Sequence, residues 1–494
     1  MRIVVCLVFL MGVAVGLSQT SSPPQSGGTT RTAPQSITAR IRAAIELYRS
    51  GKAEEAITAF EALRKEAPEN PDVLGWLGFL YVRSNRGAEA IPHLEAAAKQ
   101  RPEDLEILNN LGNAYQATNQ LEKALTTYRR VAQLAPRMFE PLYNIGTIHL
   151  ARKDYRRAVF AFNEAAKLRA DDPFVQNNLG VAHDGLNDLP SAAAAFRKAA
   201  DLRPDNAVFA RNAGLTLSRL RRQNEAIPYL ERAFAADKGR RTVVVALANA
   251  YASQGKQDSA IRVYEESLQT GAGSVEVWFN LGVLRAAAGQ TDAAIDAYRK
   301  ALVVSPNDLD SLNNLGLLLF QRGEFAESVT LFERLAGLNP NSVSARVNLG
   351  AAAARTGDNA KAIRAWREAL RLDPERVSVR LDLANAQWQT GDHAAAEANY
   401  RLVLQRQPKN AEALNGIGLA HLRANRQAPA EAAFRGAIAA DPKLVSAYNN
   451  LAVVLERTRR FDQARATLEQ ALKLAPDDPQ VRQNLERLRQ RQQS

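Results

Sequence analysis

One 34-residue period runs from Ile37 to Asp478, thirteen times over, with no insertion or deletion between its copies. A period of this length marks a string of supersecondary units, each too small to bury its own apolar face and each completed by the next in line. The units begin at residues 37, 71, 105, 139, 173, 207, 241, 275, 309, 343, 377, 411 and 445, and the last ends at 478. By length alone, 494 residues would suggest about three or four globular domains. The period replaces that estimate with a single array, and it places function on surfaces repeated along the array or at positions where the repeat breaks.

Numbered from its first residue, each unit has slots with fixed demands. The eighth holds Gly or Ala in every copy, from Ala44 and Gly78 to Gly418 and Ala452. The twentieth is Ala from Ala56 to Ala464, with Ser328 the one exception. Small residues at both let two helices approach closely. The twenty-fourth takes a ring or Leu, as in Phe60, Tyr128, Phe162, Tyr264, Trp366 and Phe434, which fills the space they leave. Pro stands at the thirty-second slot in ten units and ends a second helix; Ala170, Lys238 and Ala272 replace it in the others. Short polar stretches such as Ser50-Gly51-Lys52 separate the two helices of a unit.

Small at eight, Ala at twenty, a ring at twenty-four and Pro at thirty-two resemble the tetratricopeptide repeat family, over about nine-tenths of the chain. The resemblance implies an all-α fold: a right-handed α-solenoid of thirteen helix-turn-helix repeats over 37–478, with first helices lining a concave groove. The tail, 479–494, places Val481, Leu485 and Leu488 on one helical face and reads as a capping helix.

In the family the second, fifth, sixth, ninth, twelfth and thirteenth slots face the groove. Here the sixth is Asn in eight units: Asn110, Asn144, Asn178, Asn212, Asn280, Asn314, Asn348 and Asn450, with Asp382 as a variant. Asn109, Asn177, Asn313 and Asn449 double the row at the fifth slot. An amide is both donor and acceptor, so one per repeat can pair with the backbone of an extended polypeptide whatever its side chains. The tetratricopeptide region of O-linked N-acetylglucosamine transferases is similar, with an asparagine ladder that holds polypeptide this way. The same row also reads as a polar face that water solvates, and both readings stay open. In the first two units the groove slots turn apolar, with Ile41, Ile45, Tyr48, Trp76, Phe79 and Val82. These pack an end unit or, alternatively, Tyr48, Trp76 and Phe79 form an apolar anchor for a partner. Phe320 and Trp388 offer isolated equivalents at the twelfth slot. The carboxylate clamp of chaperone-binding relatives is not expected, since no second or fifth slot holds Lys and the one sixth-slot Arg is Arg42.

Residues 1–18 read as an export signal, with an apolar run from Ile3 to Val15, and 19–36 as a flexible linker of Ser, Thr, Pro, Gln and Gly. An uncleaved inner-membrane anchor is the alternative. The one cysteine, Cys6, lies inside the signal, so the mature chain offers no thiol chemistry. His149, His183 and His421 share the eleventh slot, where they pack as core rather than ligate a metal, and no phosphate loop or hydrolase motif is present. No enzyme activity, cofactor or metal is therefore expected. The charge of +12 admits acidic partners, but basic residues alternate with acids, so no nucleic-acid partner is expected. Attraction to an anionic envelope surface stays possible. The sequence thus points to an exported, periplasmic or extracellular scaffold that binds a protein or peptide partner, for envelope assembly or secretion, with oligomeric state open. The alternative is an accessory subunit of a glycosyltransferase or polysaccharide machine. Two missing prolines and Gly271-Ala272-Gly273 also suggest a softer joint at residues 238–274, in the seventh unit.

Overall fold

In the computed structural model, residues 36–493 are described; the signal at 1–18, Cys6 and all of the linker but Ser36 lie outside the described residues. Those residues form 27 α-helices and no strand, two helices to each 34-residue unit, plus α27 (Pro479–Gln493) after the thirteenth. The first unit sets the pattern with α1 (Ile37–Arg49) and α2 (Ala53–Glu66).

Each boundary has a local cause. The thirty-fourth residue of most units caps the next first helix: the Asn70 side chain accepts from the backbone N–H groups of Asp72 and Val73, and Asp172 from those of Phe174 and Val175. The first helix ends at the fifteenth slot, which is left-handed in all thirteen units. Six of these residues are Gly, as at Gly51 (φ 83°); four are Asn; the rest are Lys153, Arg221 and Arg459. The second helix stops two residues before the thirty-second slot, whose Pro forces the residue before it out of the helical region, as at Ala67 (ψ 70°).

Packing follows the slots. The eighth-slot glycines face the twenty-fourth side chain of the same unit. A Cβ on Gly146 would lie 2.6 Å from the Phe162 ring, and one on Gly350 2.4 Å from Trp366. The twelve alanines at slot twenty are fully buried, and so is Ser328, whose hydroxyl donates to the Gly316 carbonyl at 2.8 Å. Burying a ring such as Phe60 or Phe434 completely contributes about 1.5–3 kcal/mol, once per unit. At the chain's end, α27 buries Val481, Leu485 and Leu488, and Arg487 and Arg491 both pair with the buried carboxylate of Glu456.

The helices group into two compact units, one ending at Leu186 and the other starting at Asn187, between the two helices of the fifth repeat. In the first, one core runs from Ile41 to Ala161. In the second, a core from Ala193 to Ala297 passes through the seventh repeat, taking in Val243, Leu247, Ala248 and Tyr264. The division thus falls away from residues 238–274. What distinguishes the seventh repeat is local: α14 (Gln257–Gln269) is one residue shorter than the other second helices, and Gly271 (φ 82°) adds a second left-handed residue.

Candidate binding face on the first helices

All eight sixth-slot asparagines are half-buried on their first helices, as are Asn109, Asn177 and Asn313, while Asn449 is buried. They do not form a uniform row of open amides. Several bond to the neighbouring unit. Asn144 Nδ2 donates to Asn113 Oδ1 at 3.3 Å, Asn178 Nδ2 to the Tyr143 hydroxyl at 3.2 Å, and Asn450 Nδ2 to Asn415 Oδ1 at 3.0 Å. The pair Asn313 and Asn314 forms a relay: Asn313 donates to Asn314 Oδ1 at 3.2 Å, and Asn314 donates to the Tyr298 hydroxyl at 3.4 Å. Asn449 accepts from Asn484 of α27 at 2.7 Å. Asn110 and Asn348 make no side-chain hydrogen bond among the described residues.

Sequence reasoning missed a further partner that three of these asparagines have, a tyrosine at the twenty-fourth slot one unit earlier. Tyr128, Tyr264 and Tyr298 stand beside Asn144, Asn280 and Asn314. Burial raises the pKa of each phenol, that of Tyr264 to about 12, so they stay neutral donors and acceptors at physiological pH. The legible signal is Tyr rather than Phe sixteen residues before an Asn. Tyr128 also donates to Asn113 Oδ1 at 2.7 Å and to Gln116 Oε1 at 3.1 Å, and Gln116 reaches Thr147 at 3.4 Å. Repeats three and four therefore carry a polar network largely closed on itself.

Between Asn110 and Asn450 the row is broken three times, at Ala246, Asp382 and Gly416. At Gly416 a Cβ would come within 2.5 Å of the Tyr400 ring, so packing keeps Asn out of that unit. Asp382 is exposed as a residue, but partial desolvation of its carboxyl, and then Glu412, push its pKa up.

The structure brings the three aromatic residues of the apolar start together. Tyr48 packs edge-on to Phe79 at 5.4 Å and to Trp76 at 6.3 Å, and Trp76 stacks on the core ring Phe60 at 6.0 Å. All three are half-buried against the first core, so they form one cluster with an outer side. Phe320 meets Phe325 at 5.3 Å and Trp388 meets His393 at 4.4 Å, each within its own unit.

A second apolar strip was not singled out from the sequence. On α15 (Val275–Ala287) and α17 (Leu309–Arg322), Val283 and Leu317 occupy ninth slots and are 39% and 37% exposed. For Val283 the available signal was the small residues Ala286 and Ala287 beside it; Leu317 has Phe320 and Gln321 at the equivalent slots and offers no such signal.

The eleventh slot carries His149 into the interior, where it is buried. Its residues face the second helix of the preceding unit: the hydroxyls of Tyr81, Tyr115 and Tyr251 donate to Glu61, Glu95 and Glu231, and Arg285 pairs with Glu265 at 2.8 Å. His149 and His421 sit where that helix offers Arg129 and Arg401; burial above all, with these and nearby arginines adding to it, lowers both imidazole pKa values. Among the described residues no group of three or more potential ligands could hold a metal ion. No helix there is long and apolar enough to cross a membrane.

A family model described as tetratricopeptide repeat matches residues 77–139, 143–207, 211–275, 245–308, 313–377 and 381–445, and a second of the same description matches 47–91 and 421–488. No match was found among curated proteins. Among solved structures, YrrB, a tetratricopeptide repeat protein with an unusual peptide-binding site, is 22% identical, covering 38% of this chain and 97% of its own at a TM-score of 0.35. The Cut9–Hcn1 hetero-tetramer of the APC/C gives 13% identity, 92% and 96% coverage and a TM-score of 0.35. A tetratricopeptide repeat protein from Parabacteroides merdae gives 17%, 58%, 99% and 0.34. Since the slots that pack Gly146 on Phe162 and bury every twentieth residue recur through the matched segments, the chain belongs to the tetratricopeptide repeat family.

Proposed function

We propose that the protein is a non-enzymatic scaffold that holds polypeptide partners along its first-helix face, for assembly or secretion at the cell envelope. The observation that carries this lies within the second compact unit: the amide of Asn348 is left without an internal partner among the described residues, and Val283 and Leu317 are exposed aliphatic side chains on the first helices of the two preceding repeats. Amides supply backbone recognition, and aliphatics supply an apolar contact that selects among sequences. The envelope assignment is supported by the apolar run from Ile3 to Val15.

The bonded asparagines have a different job in this account. Asn144 and Asn178 join successive first helices, so they set the spacing of the face rather than touch the ligand. Paired substitutions separate the roles. Asn110→Ala with Asn348→Ala should weaken partner capture from an envelope extract about fivefold per lost bond, or about 1 kcal/mol each, with unchanged thermal stability. Asn144→Ala with Asn178→Ala should lower the melting temperature instead. Unchanged capture in the first pair, with the fold intact, would remove the amides from ligand contact.

A further inference from the structure

We infer that the outer face of α8 (Tyr155–Leu168), with the turn before it, docks on an anionic lipid surface, the ring of Phe160 entering the headgroup layer. This goes beyond the polypeptide reading, which concerns the first helices. Slot twenty-two lies on the solvent side of the second helix and is exposed in every unit. It holds Thr, Ala, Pro, Arg or Asp in all units but the fourth, where Phe160 is 69% exposed. Packing within the repeat does not call for that ring, since the other units fold without one there.

The charges around the ring are unbalanced. Arg156 and Arg157 stand one turn before Phe160, about 6 Å or less back along the axis, and share its side of the helix. Arg152 and Lys153 belong to the turn that leads into α8, and Arg129 is an exposed residue of α6 (Leu121–Leu134). Arg129, Arg152 and Arg157 converge on His149, whose pKa all three help to lower. Carboxylates answer two of these cations: Glu122 takes Arg152 at 2.6 Å, and Asp154 takes Arg157 at 3.2 Å. Arg129, Lys153 and Arg156 are exposed and have no ion pair among the described residues. The face thus offers three unpaired cations beside one bare ring, all within the first compact unit.

Charge and shape together select the occupant. Each Lys or Arg near an anionic leaflet favours association about fivefold, and an aromatic ring among them adds insertion at the boundary between headgroups and acyl chains. A folded partner would need a hollow shaped for the projecting ring. A bilayer interface deforms to admit it anywhere.

The test is co-sedimentation of the full chain with vesicles of phosphatidylcholine, alone or mixed with phosphatidylglycerol, together with a local probe at position 160. The mixed vesicles should bind at least tenfold more strongly. Phe160→Asp, and Arg129→Glu with Arg156→Glu, should each weaken that binding at least tenfold with the melting temperature unchanged. Asp296, Glu95 and Glu122 hold the same slots in other units, so the fold accepts these residues. In Phe160→Trp, the added emission should be quenched by brominated lipid in the mixed vesicles, and in Asp296→Trp it should not. Equal binding to both vesicles, binding that either variant leaves unchanged, no quenching from position 160, or equal quenching from position 296 overturns the inference. Retention on a poly-glutamate resin that the double arginine variant loses, with no quenching from position 160, would assign the cations to an acidic polypeptide and overturn it as well. Capture of polypeptide by the first helices is measured separately and stands or falls without it.

Discussion

Gly146 and Gly337 show how much one methyl group depends on its slot. Both lie in helices, where Ala outranks Gly by about 1 kcal/mol. At Gly337 a Cβ meets nothing within 4 Å, so Gly337→Ala should stabilise the protein by about 0.5–1 kcal/mol. At Gly146 the same Cβ would sit 2.6 Å from Phe162. Overpacking of that kind costs about 1–3 kcal/mol, so Gly146→Ala should be destabilising despite the gain in helix propensity. Urea unfolding of the two variants checks the opposite signs. Such slots were legible in the sequence because close packing demands a size at a fixed spacing. The bonding of the asparagines was not, since an amide serves a ligand or a neighbour equally well. Which it serves depends on what the fold brings beside it: Tyr298 beside Asn314, Tyr143 beside Asn178, Asn415 beside Asn450. The histidines give a pH prediction. Burial keeps His149 and His421 below their ordinary value of 6.5, so the unfolded chain takes up protons first. Their stabilising effect is complete above about pH 6.5 and is lost as the pH falls below it. His149→Gln with His421→Gln should flatten the drop in melting temperature between about pH 7.5 and about pH 5.

Among the helices, the start and stop signals of each hairpin are local and were legible for that reason: Asn70 and Asp172 as caps, Gly51 as a left-handed stop, Pro68 as a terminator. The softer joint at 238–274 is read from the same kind of signal, and burial in the fold argues the other way. Loss of Pro at Lys238 and Ala272 alters the turns, but Val243, Val244, Leu247 and Tyr264 stay in a core shared with the repeats on either side. Tertiary burial, which local signals do not report, decides how firmly a helix is held. Hydrogen exchange should accordingly show the helices of the seventh repeat as protected as those of the sixth and eighth, with fast exchange limited to residues 270–274. Fast exchange throughout 241–269 would restore the joint.

Taken as a whole molecule, the chain has two compact units whose first-helix faces differ in character. In repeats three and four of the first the amides are mostly turned to one another through Tyr128, Asn113, Gln116 and Thr147; in repeats eight to ten of the second they border Val283 and Leu317. The repeat period made both faces legible as a class. It could not rank them, because exposure at the ninth slot depends on the bulk of the flanking slots in folded helices. Site-specific photo-crosslinking tests the claim that the first helices carry the partner. A photoreactive residue placed at Leu317, on a first helix, should crosslink a polypeptide partner captured by the full chain. The same residue at Val303, which is 80% exposed on a second helix, should not. Crosslinking from position 303 with none from 317 would contradict the account.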